Sequence, residues 1–319
     1  MDPRGVLLSI EKLGLSLANG TRLLEDVSFE VKSGQTVGVV GESGSGKSLT
    51  ALSVMGLLPH LKPAGHIHFD GQELVGMPDR MLRKLRGLRI AMIFQDPMTA
   101  FLPVRSIGAQ IDEQIRLHEK VTRKAARQRT VSLLEKMGVP EPWLAADRYP
   151  HQLSGGLRQR AMIAMALSCA PDLLIADEPT TALDVTVQAQ ILALLHEIRN
   201  QGAGVMLITH DMGVVAQSCT TVAVMYSGQV VETGPVRQVL EDPLHPYTKA
   251  LLAAIPPLEG IRPDKLPTII GSPPSPVSRP EGCVFGPRCS FFKEVCALAR
   301  PELKNIDSER RVACVLYSA

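Results

Sequence analysis

The sequence predicts an α/β fold with a mostly parallel sheet, and two observations support this. Short apolar runs without polar alternation occur at residues 36–40, 173–176 and 205–209. Strands that are buried on both faces have this pattern. Longer segments with apolar residues at helical spacing lie between them, as at residues 187–199. Alternation of strands and helices is typical of a sheet with helices on both faces.

Two additions to this core are predicted upstream of its second strand. Polar–apolar alternation predicts antiparallel strands near the N-terminus, at residues 7–17, 27–31 and 66–70. Residues 107–165 are mainly helical in pattern, with an interruption near residues 138–149. We therefore expect a helical subdomain, at about residues 97–170, inserted into the α/β core.

The composition changes after residue 255. Eight prolines fall between residues 256 and 280, which excludes a helix or a central strand there because proline lacks the backbone donor. We expect one domain at residues 1–255, followed by a proline-rich arm and a small four-cysteine C-terminal domain at residues 256–319.

The bulk composition excludes several classes of partner. The 319-residue chain has 34 basic and 32 acidic residues, a formal net charge of +2, so no nucleic-acid partner is expected. Its apolar runs are shorter than the roughly 18–20 residues needed to span a bilayer. The first residues lack the pattern of a signal peptide. We expect a soluble chain, to which other subunits supply any membrane pore.

A glycine-rich segment at residues 41–48, GESGSGKS, fits the phosphate-binding pattern G-x-x-x-x-G-K-[ST]. We call it the phosphate loop. A predicted strand precedes it and a helical pattern starts near Leu49, which opposes the alternative of a chance turn containing lysine. Backbone N–H groups can curl around a phosphate there, while Lys47 reaches the outer phosphates and Ser48 binds Mg²⁺. The predicted nucleotide contacts in this segment are Gly41, Ser43, Gly44, Ser45, Gly46, Lys47, Ser48 and Leu49.

Two acids, Asp177 and Glu178, end the apolar run at residues 173–176. The carboxyl ends of parallel strands face the ligand crevice. Asp177 is predicted to hold Mg²⁺, and Glu178 to orient and deprotonate the attacking water. Phosphoryl transfer depends mostly on such positioning and charge neutralisation. Alone, the pair would also fit the charged first turn of a helix.

Further motifs resemble those of ABC ATPases. The segment LSGGLRQR at residues 153–160 resembles the family's signature motif, and Gln95 resembles its Q-loop glutamine. Residues 182–184, with Asp184, resemble the D-loop, and His210 resembles the switch histidine. The resemblance implies a P-loop RecA-like core that binds ATP and Mg²⁺. It also implies that Gln95 is both a Mg²⁺ ligand and a catalytic residue, and that His210 is catalytic.

The signature motif, residues 153–160, also has a physical interpretation. Ser154 and the amides of Gly155 and Gly156 precede a predicted helix at residues 157–168, where they form a second anion site. Without the other motifs, this segment would be interpreted as an ordinary helix N-cap. The resemblance implies that it closes over ATP held by a second, homologous ATPase subunit.

The subgroup is indicated by residues 94–98, 177–186 and 245–248 and by the cysteine-bearing tail. These resemble the ATPase subunits of dipeptide, oligopeptide and nickel importers. The resemblance implies an ATPase heterodimer, two transmembrane permease subunits and a substrate-binding protein, at the cytoplasmic face of the inner membrane. The cargo could also be nickel, glutathione or another small solute. The other functional classes are a soluble non-transport ABC ATPase and a non-hydrolysing interaction module.

Two positions depart from the family pattern. Leu17 stands where the family often has an aromatic residue that stacks on the nucleotide. Leu102 stands where Asn commonly precedes Pro, in the region where a permease is expected to dock. Outside the motifs, His66 and His68 share one face of a short strand. They could bind a metal ion, although a solvated hairpin face is the expected structure.

Four of the six cysteines, Cys283, Cys289, Cys296 and Cys314, lie near the C-terminus. Structural disulfides are rare in the cytosol, so such a group indicates a metal or cluster site. Four thiolates suit an iron–sulfur cluster or zinc, but the spacing lacks C-x-x-C pairs and ferredoxin runs. Unligated thiols are the third alternative. The resemblance to peptide importers with this tail implies a [4Fe–4S] cluster, which would attach the proline-rich arm to the domain.

Overall fold

The computed structural model describes residues 5–180, 185–255 and 268–317. The chain forms two compact units: a first unit at residues 77–206 and a second unit at residues 6–76 and 207–319. None of the described helices is long and apolar enough to cross a membrane.

The described strands are β1 (Val6–Ser16), β2 (Arg22–Lys32), β3 (Thr36–Val40), β4 (Lys62–Phe69), β5 (Gln72–Glu73), β6 (Ile90–Ile93), β7 (Leu173–Asp177), β8 (Gly204–Thr209), β9 (Thr221–Tyr226), β10 (Gln229–Pro235), β11 (Lys304–Asn305) and β12 (Arg311–Val312). The described helices are α1 (Lys47–Val54), α2 (Asp79–Leu85), α3 (Ile107–His118), α4 (Arg123–Lys136), α5 (Pro142–Asp147), α6 (Gly155–Ala166), α7 (Val185–Asn200), α8 (Met212–Ser218), α9 (Val236–Glu241), α10 (Pro246–Ala253) and α11 (Val295–Leu298).

The second unit contains the predicted N-terminal antiparallel sheet, with strand order β2-β1-β4-β5. Ile10 of β1 lies opposite Phe29 of β2 and Ile67 of β4, and all three side chains are buried. Strand β2 begins before the predicted residue 27, because Asp26 adopts a left-handed backbone (φ +52°) and interrupts the alternation. Strand β4 begins before residue 66, since Pro63 and Gly65 obscure its first half.

The second unit also contains strands of the mixed sheet. Strand β3 is parallel to β9, with Val39 opposite Ala223, and β9 is antiparallel to β10. Strand β12 pairs with β10, and β11 with β12, so chain from the C-terminal region extends this sheet. Every residue of β3 is buried, as expected for a strand covered on both faces.

The first unit holds the parallel pair β6 and β7, with Ala91 opposite Leu174, and both strands are fully buried. Helices α3, α4, α5 and α6 occupy the segment predicted to be helical. The predicted interruption contains the short helix α5, which begins with Pro142 at its first position. In the sequence, the boundary between the two units falls within β8, after residue 206. The predicted α/β fold class is confirmed.

Within the second unit, the C-terminal residues 268–317 pack on β9 and α10 through an aromatic cluster. Phe285 is buried with Tyr226 of β9 and Tyr247 of α10, with ring centroids 5.2 and 5.4 Å from it. A buried ion pair joins Arg310 to Glu232 of β10 at 3.2 Å. The tail therefore shares a core with the strands and helices before it.

Candidate nucleotide site

The phosphate loop joins β3 to α1 through a backbone that only glycine can adopt at two points. Gly41 has φ +154°, and a Cβ there would lie 2.1 Å from the carbonyl oxygen of Met225. Gly46 has φ +103°, and its Cβ would lie 2.5 Å from Leu24 Cδ2. Any side chain at these positions would force the loop open.

Lys47 is buried at the start of α1 and folds back across the phosphate loop. Its Nζ donates hydrogen bonds to the carbonyl oxygens of Gly41 at 2.8 Å and Glu42 at 3.0 Å. Ser43 and Gly44 are exposed at the tip of the loop, whereas Ser45 is buried. The remaining predicted contacts, Ser48 and Leu49, lie half-buried in the first turn of α1, where N–H groups point towards the loop.

The first unit brings Gln95 and Glu178 together. Gln95 follows β6, Glu178 follows β7, and Gln95 Nε2 donates to Glu178 Oε2 at 3.2 Å. Glu178 has φ +46°, in the left-handed region that a residue with a side chain rarely adopts. Asp177, the last residue of β7, is buried beside it. A strained backbone of this kind is typical of functional positions.

The predicted anion site of the signature motif lies at the start of α6. Ser154 is the N-cap, and its Oγ accepts a hydrogen bond from the N–H of Leu157. Gly155 and Gly156 form the first two residues of the helix. The buried Gln159 of α6 donates to the carbonyl oxygen of Pro179 at 2.8 Å. Gln159 therefore ties the signature helix to the segment that follows Glu178, a link that the sequence did not predict.

His210 and Asp184 are the remaining predicted site residues. His210 is exposed directly after β8, and the next residue, Asp211, caps α8 by accepting from the N–H groups of Gly213 and Val214. Asp184 lies outside the described residues. The phosphate loop and His210 belong to the second unit, whereas Gln95, Asp177, Glu178 and the signature motif belong to the first.

An ion pair links the C-terminal tail to the phosphate loop. Arg288 donates to both carboxylate oxygens of Glu42, at 2.7 and 3.0 Å. The N–H of Glu42 donates to the hydroxyl of Tyr247 at 2.9 Å, and Arg288 also donates to the hydroxyl of Tyr226. Sequence reasoning missed this contact. The available signals were a charged residue inside the phosphate loop and an arginine directly before Cys289.

The four C-terminal cysteines line one apolar pocket, together with His245, Phe285 and Phe291. Burial, together with the neighbouring thiols of Cys296 and Cys289, raises the pKa of Cys283 to about 11. Burial also raises the pKa of Cys289 and of Cys314. Without a bound cation the thiols of Cys283, Cys289 and Cys314 would therefore hold their protons at neutral pH.

Two segments of the chain match known families. Residues 24–181 match the ABC transporter family, and residues 231–296 match the C-terminal region of oligopeptide/dipeptide transporters. The chain is 44% identical over 314 residues to the dipeptide transport ATP-binding protein DppD of Escherichia coli, covering 97% of this chain and 96% of that protein. The chain belongs to the ATP-binding subunits of ABC transporters. It is equally 44% identical to DppD of Haemophilus influenzae, over 97% of this chain and 94% of that protein.

Solved ABC cassettes agree with this assignment. The dimeric structure of MJ0796, a bacterial ABC transporter cassette, superposes with a TM-score of 0.65 and 26% identity. The superposition covers 72% of the present chain and 99% of the MJ0796 chain. A post-hydrolysis structure of MJ0796 bound to ADP and Pi superposes with a TM-score of 0.66. The present chain is therefore an ABC ATPase. The predicted resemblance to the ATPase subunits of the dipeptide, oligopeptide and nickel group is confirmed by the match to the oligopeptide/dipeptide C-terminal region.

Proposed function

We propose that this ABC ATPase powers the import of dipeptides and oligopeptides. The observation that carries the proposal is the match of residues 231–296 to the oligopeptide/dipeptide C-terminal region, which follows the ABC transporter match at residues 24–181. Similarity to DppD over nearly the whole chain supports it. The alternative is that the same ATP-driven transporter imports nickel, glutathione or another small solute.

The proposed chemistry uses the two groups of residues described above. Lys47 and the N–H groups of the phosphate loop hold the phosphates of ATP, and Ser48, Gln95 and Asp177 hold Mg²⁺. When bound, Mg²⁺ neutralises charge on the phosphates. Glu178 is the proposed base that accepts the proton of the attacking water. It lies directly after β7, and the hydrogen bond from Gln95 orients its carboxylate.

The other proposed contacts serve the closed pair of ATPase subunits. Ser154, Gly155 and Gly156 offer a capped helix start to the γ-phosphate of ATP on the partner. The resemblance to ABC ATPases assigns His210 a catalytic role and Asp184 a contact with the nucleotide.

We propose four kinds of subunit in the assembly: this chain, a second homologous ATPase, two transmembrane permeases and a substrate-binding protein. Attachment to the permeases would place the chain peripherally at the cytoplasmic face of the inner membrane. The first unit offers a docking groove with exposed apolar side chains, Leu102 and Leu117, beside Met165. Exposed apolar residues grouped in a groove are typical of protein contacts.

We also propose two domains within the chain. The ABC ATPase domain occupies residues 1–255, with its helical subdomain at about residues 97–170. The proline-rich arm and four-cysteine region occupy residues 256–319. The second family match, at residues 231–296, runs across residue 255, so this boundary rests on the change of composition in the sequence.

The transport proposal predicts peptide-dependent ATP turnover. The assembled transporter in lipid vesicles should hydrolyse ATP faster, and accumulate labelled dipeptide, when the binding protein is loaded with that dipeptide. Lys47→Ala should abolish both activities, because the loop loses its buried cation, while the complex still assembles. Stimulation by nickel or glutathione but not by peptide would reassign the cargo. Uptake that persists in the Lys47→Ala complex would contradict the role of the phosphate loop.

We further propose that the four-cysteine pocket holds a [4Fe–4S] cluster. The pocket supplies four thiols in an apolar setting, and a bound cation would favour their thiolate forms. Four thiolates suit an iron–sulfur cluster or a zinc ion. The resemblance of this tail to that of peptide importers is what favours the cluster.

The cluster proposal predicts iron in the protein. Anaerobically purified chain should be brown, with about four irons and four sulfides per chain. Cys289→Ser should lose iron and become more sensitive to proteolysis between residues 268 and 317. Cys219→Ser, which alters a cysteine outside the pocket, is the matched control and should keep its iron. Stoichiometric zinc would support the zinc alternative. Metal-free protein, with unchanged proteolysis in Cys289→Ser, would mean that the C-terminal tail holds no metal and that its thiols are unligated.

A further inference from the structure

One face of the N-terminal sheet carries two imidazoles and two carboxylates on three neighbouring strands. His66 and His68 lie two residues apart on β4, so their side chains leave the same face. Glu11 of β1 lies opposite His66, and Glu73 of β5 lies opposite His68. The hairpin of β4 and β5 brings His66, His68 and Glu73 together, and the register of β1 on β4 adds the distant Glu11.

The ligand atoms of this group are close enough to share one ion. Glu73 Oε2 lies 2.6 Å from His66 Nδ1 and 3.7 Å from His68 Nε2. One ligand atom from each of His66, His68 and Glu73 falls within 4.8 Å of the other two. The two imidazole rings are stacked, with centroids 5.8 Å apart and planes inclined by 20°. Glu11 Oε1 lies 4.0 Å from His68 Nδ1, at the border of the group.

The Glu73 carboxylate is oriented by hydrogen bonds from backbone amides outside the group. Glu73 Oε1 accepts from the N–H groups of Ile67 and Val75, at 3.0 and 2.9 Å. Its other oxygen, Oε2, is therefore directed at the imidazoles. Burial opposes ionisation of Glu73, but these two amides and His66 outweigh it and lower the pKa of the carboxyl. Supporting hydrogen bonds of this kind are typical of metal ligands.

We propose that His66, His68 and Glu73 bind a divalent transition-metal ion such as Zn²⁺, with Glu11 or water as the fourth ligand. Imidazole nitrogen and carboxylate oxygen suit Zn²⁺, and three protein ligands leave one position open. The side chains of His66, His68 and Glu73 are 64%, 37% and 34% exposed, so the ion would exchange with solvent. Binding would fasten the two-residue edge strand β5 to β4, separately from ATP and from the four-cysteine pocket.

The full chain can be titrated with Zn²⁺ by calorimetry and with Co²⁺ by absorption. Co²⁺ distinguishes this nitrogen–oxygen site from the cysteines, because thiolate ligands add intense charge-transfer bands. We expect a Co²⁺ signal without those bands. His66→Ala with His68→Ala should weaken the corresponding Zn²⁺ binding by at least about 10–100-fold. Glu73→Gln should weaken it less, because the amide keeps an oxygen.

The matched control is His60→Ala, since His60 is also exposed but lies before β4. It should bind Zn²⁺ as wild type does. Zn²⁺ should also raise the unfolding temperature of the wild type and His60→Ala but not of the double variant, a readout independent of ATPase activity. Unchanged Zn²⁺ affinity in the double variant, or a Co²⁺ spectrum with thiolate bands alone, would overturn the proposal. The four side chains would then form only a solvated acid–imidazole group.

Discussion

ATP hydrolysis at this chain's site should fall by about 10²–10⁴-fold in Glu178→Gln, the usual contribution of a general base. The substitution keeps the shape of the side chain and an oxygen that can still accept from Gln95 Nε2. It also leaves the left-handed backbone at this position with a side chain of the same size. Because only the proton acceptor is removed, ATP binding should persist and the closed pair of ATPase subunits should accumulate.

The measurement needs a defined partner, because the second ATPase subunit has its own site. Turnover should be measured in the assembled transporter with the corresponding base of the partner already replaced, and ATP binding by equilibrium methods. Glu135→Gln, on an exposed position of α4, is a matched control and should hydrolyse ATP normally. Normal turnover at this chain's site in Glu178→Gln would remove Glu178 from its proposed role. Lost ATP binding would instead indicate local misfolding.

Much of the fold could be predicted because burial on both faces leaves a simple pattern. The runs at residues 36–40, 173–176 and 205–209 became β3, β7 and β8, which are buried throughout. The phosphate loop could be recognised because its glycines are required by the backbone itself, as Gly41 shows. Both signals are local, so neither depends on knowing which distant segments meet.

Contacts between distant segments could not be predicted. Arg288 and Glu42 are 246 positions apart, and nothing in either segment indicates the other. Gln159 was quoted within the signature motif, but its bond to the carbonyl of Pro179 depends on where α6 packs. His66 and His68 were expected to share a strand face. Even for Glu73, which follows His68 by only five positions, the pairing depends on the register of β4 and β5, which alternation alone does not set.

The Arg288–Glu42 pair connects the tail to the phosphate loop, although the tail supplies none of the predicted phosphate contacts. Arg288 is 5% exposed and Glu42 is 25% exposed, so the pair is largely withdrawn from water. Arg288 is held further by the carbonyl oxygens of Ile270 and Gly271. Glu42 is part of the phosphate loop, and its carbonyl accepts from Lys47. Release of the Glu42 side chain should therefore loosen the same backbone that holds Lys47.

Arg288→Ala should accordingly lower the free energy of unfolding by about 3 kcal/mol, near the lower bound for breaking a buried ion pair because Glu42 is partly exposed. ATP affinity should fall as well. Arg288→Lys should recover only part of both losses, since an ammonium group cannot bind both carboxylate oxygens as guanidinium does. Denaturant unfolding and equilibrium ATP binding on the full chain measure the two effects, and iron content checks the neighbouring cysteines.

The matched control is Arg237→Ala, which breaks the pair with Glu241 on α9. Those side chains are 85% and 62% exposed, so the loss should be at most about 1 kcal/mol. A double-mutant cycle of Arg288→Ala with Glu42→Gln separates the pair from its surroundings: if the two residues act through each other, the double variant should lose less than the sum of the single losses. Strictly additive losses, or ATP affinity unchanged in Arg288→Ala, would mean that the tail packs beside the phosphate loop without controlling it.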